Sequence, residues 1–238
     1  MPGLGTIINT AAIVAGGLLG LLFKNLLTKS MEDTLLKASS VCVLFIGIGG
    51  AMQHMLKITD GALETSGSMM LIICFVLGSI VGELLDIEGA FERFGAWLRK
   101  KTHNESDTGF LSAFIHASLT VCIGAMAIVG SIQDGLLGDS SLLCAKAALD
   151  AVTILVMTAS MGKGCIFSAI PVALLQGSVT LLSRVLAPVF TEAAIANLSY
   201  TGSVMIFCVG LNLVWGKKIK VANLLPTLVF AVLYALVF

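Results

Sequence analysis

Charged residues are scarce in this chain, and this scarcity excludes most soluble folds. Asp, Glu, Lys and Arg make up 12% of the 238 residues, against about 25% in ordinary soluble domains. The charges sum to zero, so composition offers no electrostatic reason to expect a nucleic-acid partner. A basic N-terminal leader is also missing, which predicts that the first apolar segment is retained as a helix rather than cleaved as a signal peptide.

The chain also lacks the motifs of common catalytic and metal sites. None of its six cysteines forms a Cys-x-x-Cys pair, and all lie in or beside apolar runs, so we interpret them as small buried hydrophobes. No glycine-rich phosphate loop or zinc-ligand cluster is present. Ser112 precedes His116 by one helical turn, but a packing histidine is the better interpretation because no nucleophile elbow accompanies the pair. We therefore expect neither an enzyme nor a bound cofactor or metal.

Long apolar runs are what the chain has in abundance. It is 57% hydrophobic, with a mean hydropathy of +1.01, and runs of about 20 apolar residues suit a hydrocarbon layer about 30 Å thick. Runs without alternation favour helices over barrel strands. We predict an all-α membrane protein, a bundle of about eight transmembrane helices in a single domain, 1–238. The predicted spans lie near 4–23, 38–56, 69–85, 110–132, 142–161, 165–187, 200–215 and 221–238.

Basic residues fall almost entirely in alternate connections between these spans. The odd connections carry eleven Lys and Arg residues, the even ones only Lys57 and Arg184. Because basic residues resist translocation, the odd connections are expected in the cytoplasm and both termini outside. This pattern suits a multi-pass protein of a bacterial inner (plasma) membrane.

Two connections are predicted to be short amphipathic surface helices. Residues 25–37 place Leu27, Met31 and Leu35 at helical spacing, and residues 87–101 have an apolar face and a basic end. Trp97 in the second segment is expected to anchor it at the membrane surface.

The first three spans resemble the last three. Gly17 matches Gly177 and Gly47 matches Gly210, and five spans separate the two copies. An odd separation would make the second copy upside down, which is an inverted internal repeat of the kind found in secondary transporters.

Lys146 and Asp150 are the strongest candidates for a functional site within the membrane. Four residues apart on one helix face, they can form an ion pair. A carboxylate near mid-membrane must be paired, protonated or exposed to water, so Asp150 could bind a proton or cation, with Lys146 releasing or competing for it. The alternative is a buried ion pair that only locks the packing of the helices.

Other polar residues lie within the apolar runs. Residues 130–135 (GSIQDG) suggest a broken or re-entrant helix end, with Gln133 and Asp134 available to a substrate; an ordinary glycine-capped helix end is the alternative. Asn9 lies early in the first span, and Gln176 follows Pro171, whose kink could free a carbonyl. Hydrogen bonding between helices is the competing explanation for both.

Taken together, several stretches resemble one family. They are GTIIN at 5–9 with GGxxG at 16–20, GAMxxxGSIQDG at 124–135, KxxxD at 146–150, and FSAIP at 167–171 with QG at 176–177. The chain resembles the YqgA/YdfK-type family of uncharacterised bacterial multi-pass membrane proteins along its whole length. The resemblance implies an inner-membrane protein and raises the interest of its polar motif positions: Asn9, Gln133, Asp134, Lys146, Asp150 and Gln176.

We therefore expect a secondary transporter or channel for a small solute or ion, with Asp150 as the coupling carboxylate. Expected partners are the lipid bilayer, the solute or ion and, from the glycine-rich helix faces, another copy of the chain. The alternative function is a structural or scaffold membrane protein without transport activity. Transport would require polar groups around Asp150 to border a cavity, whereas a scaffold is compatible with a sealed ion pair.

Overall fold

The computed structural model describes residues 2–24, 28–59, 61–105, 107–123 and 125–237, and most of them are helical. Two short 3-10 helices, Lys163–Ser168 and Val221–Leu224, precede α8 and α11. The helices are α1 Leu4–Lys24, α2 Lys29–Met55, α3 Ser68–Leu85, α4 Ile87–Lys101, α5 Phe110–Cys122, α6 Ala125–Leu137, α7 Ser141–Met161, α8 Ala169–Leu181, α9 Ser183–Leu186, α10 Glu192–Trp215 and α11 Pro226–Val237. Strands β1 Leu56–Thr59 and β2 Ala62–Thr65 form one antiparallel hairpin.

The chain is an all-α membrane protein. Among the described residues, six helical segments are long and apolar enough to cross a membrane. The pair α5 and α6, bent by 60°, counts as a seventh if it is one span, and Val221–Val237 is a shorter apolar helix. Some boundaries differ from the prediction: α2 begins at Lys29 rather than 38, and α10 begins at Glu192 rather than 200.

Small residues face inwards and large apolar residues face outwards. Helix α3 buries only Met70, Cys74, Gly78 and Gly82, which form one narrow stripe, while side chains such as Leu84 on its other faces are exposed. An apolar exterior of this kind is the surface that lipid solvates, and it agrees with a membrane protein rather than a soluble bundle.

The four odd connections meet at one end of the molecule. The Lys24 ammonium lies beside Gly162 and the Gly164 backbone packs on Phe110, while Lys217 pairs with Glu88. We call this end the basic side. At the other end, the opposite side, Gly67 packs on Tyr200.

Helix directions follow from the packing. Along α1 and α7, Gly16 packs on Ala151 and Gly20 on Leu155, so the two helices are parallel. Along α3 and α11, Gly78 packs on Thr227 and Gly82 on Asn223, so these two are antiparallel. Both relations are those expected for spans that alternate in direction.

The segments that the predicted inverted repeat matches contact one another: α1 with α8, α2 with α10, and α3 with α11. Along α2 and α10, Gly47 packs on Phe207 and Gly210 packs on Leu44, so these two helices are antiparallel. The inverted repeat itself stays a prediction.

Of the two predicted surface helices, one forms a separate helix and the other is largely part of α2. Residues 87–101 form the separate helix α4, which buries Gly95 and Leu98 and leaves Trp97 exposed. In the other segment, 25–27, and with them Leu27, lie outside the described residues, and 29–37 continue into α2 as one helix. The β-hairpin at 56–65 was not predicted, although Asp60-Gly61 is a typical hairpin turn pair.

Candidate functional site

Lys146 and Asp150 form a closed ion pair inside the bundle. The Lys146 Nζ lies 2.8 Å from Asp150 Oδ1 and 2.7 Å from Oδ2, and the two residues are 7% and 6% exposed. Asn9 Nδ2 of α1 donates to Asp150 Oδ2 at 3.0 Å. The carboxylate is therefore held by α1 as well as by its own helix, and both members of the pair are buried.

Besides the two oxygens of Asp150, the Lys146 ammonium has a third hydrogen-bond acceptor, on a helix that ends within the bundle. Helix α5 stops at Cys122, and Lys146 Nζ donates to the carbonyl of Val121 at 2.9 Å. Carbonyls in the last turn of a helix lack intrahelical partners and carry the negative end of its dipole. The ammonium thus binds a carboxylate and a helix C-terminus at the same time.

Within the described residues, α5 ends at Cys122 and α6 begins at Ala125, so the prediction that the broken or re-entrant end lies at 130–135 is wrong. Residues 130–135 lie inside α6, which runs to Leu137. Asp134 instead acts across helices, because its Oδ2 accepts from the N–H of Gly5 at 3.0 Å. Gly5 is in the first turn of α1, where N–H groups need external acceptors.

Three of the predicted residues carry buried atoms without a hydrogen-bond partner among the described residues. They are Asn9 Oδ1, Asp134 Oδ1, and both Nε2 and Oε1 of Gln176. Buried polar groups are normally paired, so a group of unpaired ones marks a candidate ligand site.

The register of α1 against α8 places Asn9 and Gln176 at similar depths in the bundle. Thr6 of α1 and Thr180 of the antiparallel α8 meet with their Oγ1 atoms 3.5 Å apart. Asn9 is three residues after Thr6 and Gln176 four residues before Thr180, so both lie about one turn deeper at the same interface. Gln133 is half-buried on α6 beside Asp134, and its predicted role stays a prediction.

A cavity of about 250 Å³ lies at the basic side between α4, α5 and α10. Its lining includes Glu88, His116 and Lys217, and along α5 it extends as far as Leu119, one turn before the break. Partial burial lowers the pKa of Lys217, but the carboxylates of Glu92 and Glu88 outweigh this effect and leave the pKa above its usual value. The cavity therefore contains a lysine that stays charged.

The Ser112–His116 pair in this cavity is not arranged as a nucleophile and its base. His116 Nδ1 lies 2.8 Å from the carbonyl oxygen of Ser112 and 3.2 Å from its Oγ. A carbonyl only accepts, so Nδ1 carries the proton and has no lone pair for the Ser112 hydroxyl. The free ring nitrogen is Nε2, which is an acceptor in this tautomer.

Sequence reasoning missed the cavity and the helix break. Gly124, itself outside the described residues, was a local signal for the break, since an isolated glycine within an apolar run weakens a helix. No local signal pointed to the cavity, because its lining residues come from connections and helices distant in the sequence. Asn212 shapes one wall by accepting from the N–H groups of Lys218 and Ile219.

No group of three or more His, Cys, Asp or Glu side chains within the described residues is placed to hold a metal ion.

Comparison with known proteins identifies relatives along the full length of the chain. A family described as "Protein of unknown function (DUF554)" matches residues 4–236. The chain is 27% identical over 224 residues to "Uncharacterized membrane protein YdfK" of Bacillus subtilis (strain 168), covering 94% of this chain and 92% of that protein. It is 26% identical over 235 residues to "Uncharacterized protein YqgA" of Escherichia coli (strain K12), covering 96% and 94%. No solved structure matches.

Proposed function

The chain belongs to the DUF554 family of proteins of unknown function, and we propose that it is a secondary transporter or channel for a small solute or ion. The proposal includes a bacterial inner membrane as its location, termini on the outer face, and no catalytic step. Its partners are the lipid bilayer and the transported species.

The observation that carries the proposal is a series of buried polar side chains within the bundle. Near the opposite side, Asp134 of α6 accepts from the start of α1, and one turn further along α1 Asn9 donates to Asp150, which pairs with Lys146. Lys146 in turn donates to the Val121 carbonyl at the end of α5, about one turn from Leu119 of the basic-side cavity. Polar groups inside a membrane protein are expensive, so such a series supports a pathway for ions or solutes.

The broken helix supplies the part that could move. Discontinuous helices near mid-membrane are the usual place for ion and substrate sites in transporters with inverted repeats. Here α5 and α6 meet at 60°, and the contact from Lys146 to Val121 ties the end of α5 to α7. In the proposal, the closed ion pair is a gate that must rearrange before a solute passes between the cavity and the polar group at α1, α6 and α8.

The scaffold alternative has one observation in its favour. Both oxygens of Asp150 are already occupied by Lys146, so the pair needs no ligand to be satisfied. A scaffold uses the ion pair for assembly only, and it predicts that removing both charges together leaves the protein intact.

Flux through purified protein in liposomes tests the proposal. Uptake of radioactive sodium, rubidium, chloride and a mixture of amino acids would be measured at several pH values, with protein-free vesicles as the blank. We expect uptake of at least one probe by the wild type and its loss in Lys146→Met/Asp150→Leu, a variant that removes both buried charges and should still fold. Asp150→Asn should also lose uptake. Unchanged uptake in the double variant would contradict the role of the ion pair as a gate. No uptake of any probe would favour the scaffold function.

A further inference from the structure

Asp134 is a buried carboxylate without a cationic partner. Its side chain is fully buried, and none of the ion pairs among the described residues includes it. Oδ2 accepts one backbone N–H, from Gly5, and Oδ1 has no hydrogen-bond partner among those residues. Leaving a carboxylate oxygen unpaired in an apolar interior costs several kcal/mol in general, so this one calls for a ligand.

Charge balance leads to the same conclusion. The buried charges where α1, α6 and α7 meet are Lys146, Asp150 and Asp134. Lys146 neutralises Asp150, which leaves one negative charge, on Asp134, to be balanced. Sequence reasoning assigned the coupling role to Asp150, but that carboxylate already has its cation.

Asp134 lies at the N-terminal end of α1. Its carboxylate accepts from an N–H in the first turn of α1, where the helix dipole carries about half a positive charge.

Neighbouring oxygens could complete the coordination of a cation. Because Asn9 must present Nδ2 to the Asp150 carboxylate, which only accepts, its unpaired atom is the amide oxygen Oδ1. Asn9 lies one turn after Gly5, about 6 Å along α1. Side chains lean towards the N-terminus of their helix, so Asp134 leans towards the start of α6. Gln176, 1% exposed, adds an unpaired amide from α8 at the level of Asn9.

We propose that Asp134 binds a monovalent metal cation such as sodium, with the amide oxygens of Asn9 and Gln176 as further ligands. A proton would satisfy only the carboxylate, whereas a metal ion can also take amide oxygens as ligands. A divalent ion would leave a positive charge buried, and calcium takes six to eight oxygens, more than these side chains supply. The inference rests on the proposed function and names the class of ion that its site would accept.

Thermal unfolding in detergent tests the site directly. The fluorescence of Trp97 and Trp215 reports the unfolding midpoint while sodium chloride replaces choline chloride at constant ionic strength. A ligand that binds the folded state raises the midpoint with the logarithm of its concentration, so we expect a sodium-dependent rise of several degrees. Potassium chloride and magnesium chloride at the same ionic strength establish the class of ion, and a stronger response to magnesium would contradict the proposal.

Asp134→Asn should lose the sodium response. The asparagine oxygen can still accept from Gly5, so the variant removes the charge and keeps the cap on α1. Asp139→Asn is the matched control, because it makes the same change at an exposed carboxylate five residues later, and it should respond like the wild type. Gln176→Met keeps the side-chain shape and should need about tenfold more sodium for the same shift. If Asp134→Asn does not fold, the reduced sodium response of Gln176→Met tests the proposal instead.

The results separate this inference from the proposed function. A midpoint that does not distinguish sodium from choline, or a response that persists in Asp134→Asn, overturns the cation site and leaves any measured solute flux unaffected. A sodium response that Asp134→Asn abolishes supports the site, even if liposomes show no flux; in that case the proposed function fails and the ion is structural.

Discussion

The three buried charges at the candidate site differ in their partners. Lys146 and Asp150 satisfy each other, and Asn9 and the Val121 carbonyl complete their hydrogen bonds. Among the described residues, the partner of Asp134 is a single backbone N–H, that of Gly5. At the scale of single residues, the ion pair is therefore the stable element of the site and Asp134 the one that lacks a counter-charge.

Single substitutions of the ion pair should destabilise the protein, whereas the double substitution should leave its stability nearly unchanged. Asp150→Leu strands a buried ammonium and Lys146→Met strands a buried carboxylate, and each should lower the free energy of unfolding by about 3–5 kcal/mol. The double variant leaves no unpaired charge and should be close to the wild type. Unfolding midpoints in detergent and yields of folded protein check this. A double variant as unstable as the singles would show that the pair contributes more than mutual neutralisation.

Glycines determine how closely the helices approach one another. The stripe Gly16 and Gly20 on α1 lies against the backbone of α7, Gly78 on α3 lies against Thr227 of α11, and Gly82 lies against Asn223 of the preceding 3-10 helix. These small residues let the helices of one chain approach closely. The same close approach brings Asn9 to Asp150, so helix packing and the site depend on the same residues.

Gly16→Ala should destabilise the α1–α7 contact. A Cβ at this position would lie 2.3 Å from the carbonyl oxygen of Ala151, and backbone cannot move aside without shifting a helix. We expect a loss of about 1–3 kcal/mol, typical of overpacking, measured as a lower unfolding midpoint.

Gly49→Ala is the control for this prediction. No atom lies within 4 Å of a Cβ at that glycine of α2, so its midpoint should be unchanged or slightly higher. Equal losses in the two variants would contradict the close-packing explanation and would point to helix propensity or to insertion instead.

At the scale of the whole molecule, the basic residues gather at one end. Because the odd connections meet there, the positive-inside rule predicts that this end faces the cytoplasm and the hairpin faces outwards. Glu64→Cys in the exposed β2 should then react with a membrane-impermeant maleimide in intact bacterial cells. Lys100→Cys at the end of α4 should react only after the cells are lysed, with wild type as the background for native cysteines. The reverse labelling pattern would invert the orientation.

Much of the architecture could be predicted because lipid imposes simple rules on sequence. Apolar runs, glycine stripes and basic connections are each local features, and they led to an all-α bundle whose odd connections the packing places at one end. Element ends were harder, as α10 shows: its first turns from Glu192 are more polar than its middle, and only tertiary contacts decide that they stay helical. The role of Gln133 in the candidate site was equally hard to predict, since no local feature of the sequence indicates which face of α6 turns towards α8.

The sequence by itself determined that this chain spans a membrane, which connections between its helices lie at the same end of the molecule, and that Lys146 and Asp150 share a helix face. These features depend on hydropathy and on spacing along one helix. Only the tertiary structure decided which polar atoms are left unpaired, because that depends on partners from other helices. The Asn9 amide binds Asp150 and the Val121 carbonyl binds Lys146, whereas Oδ1 of Asp134 has no hydrogen-bond partner among the described residues. Pairing across helices follows from register and close approach, which are properties of the packed bundle.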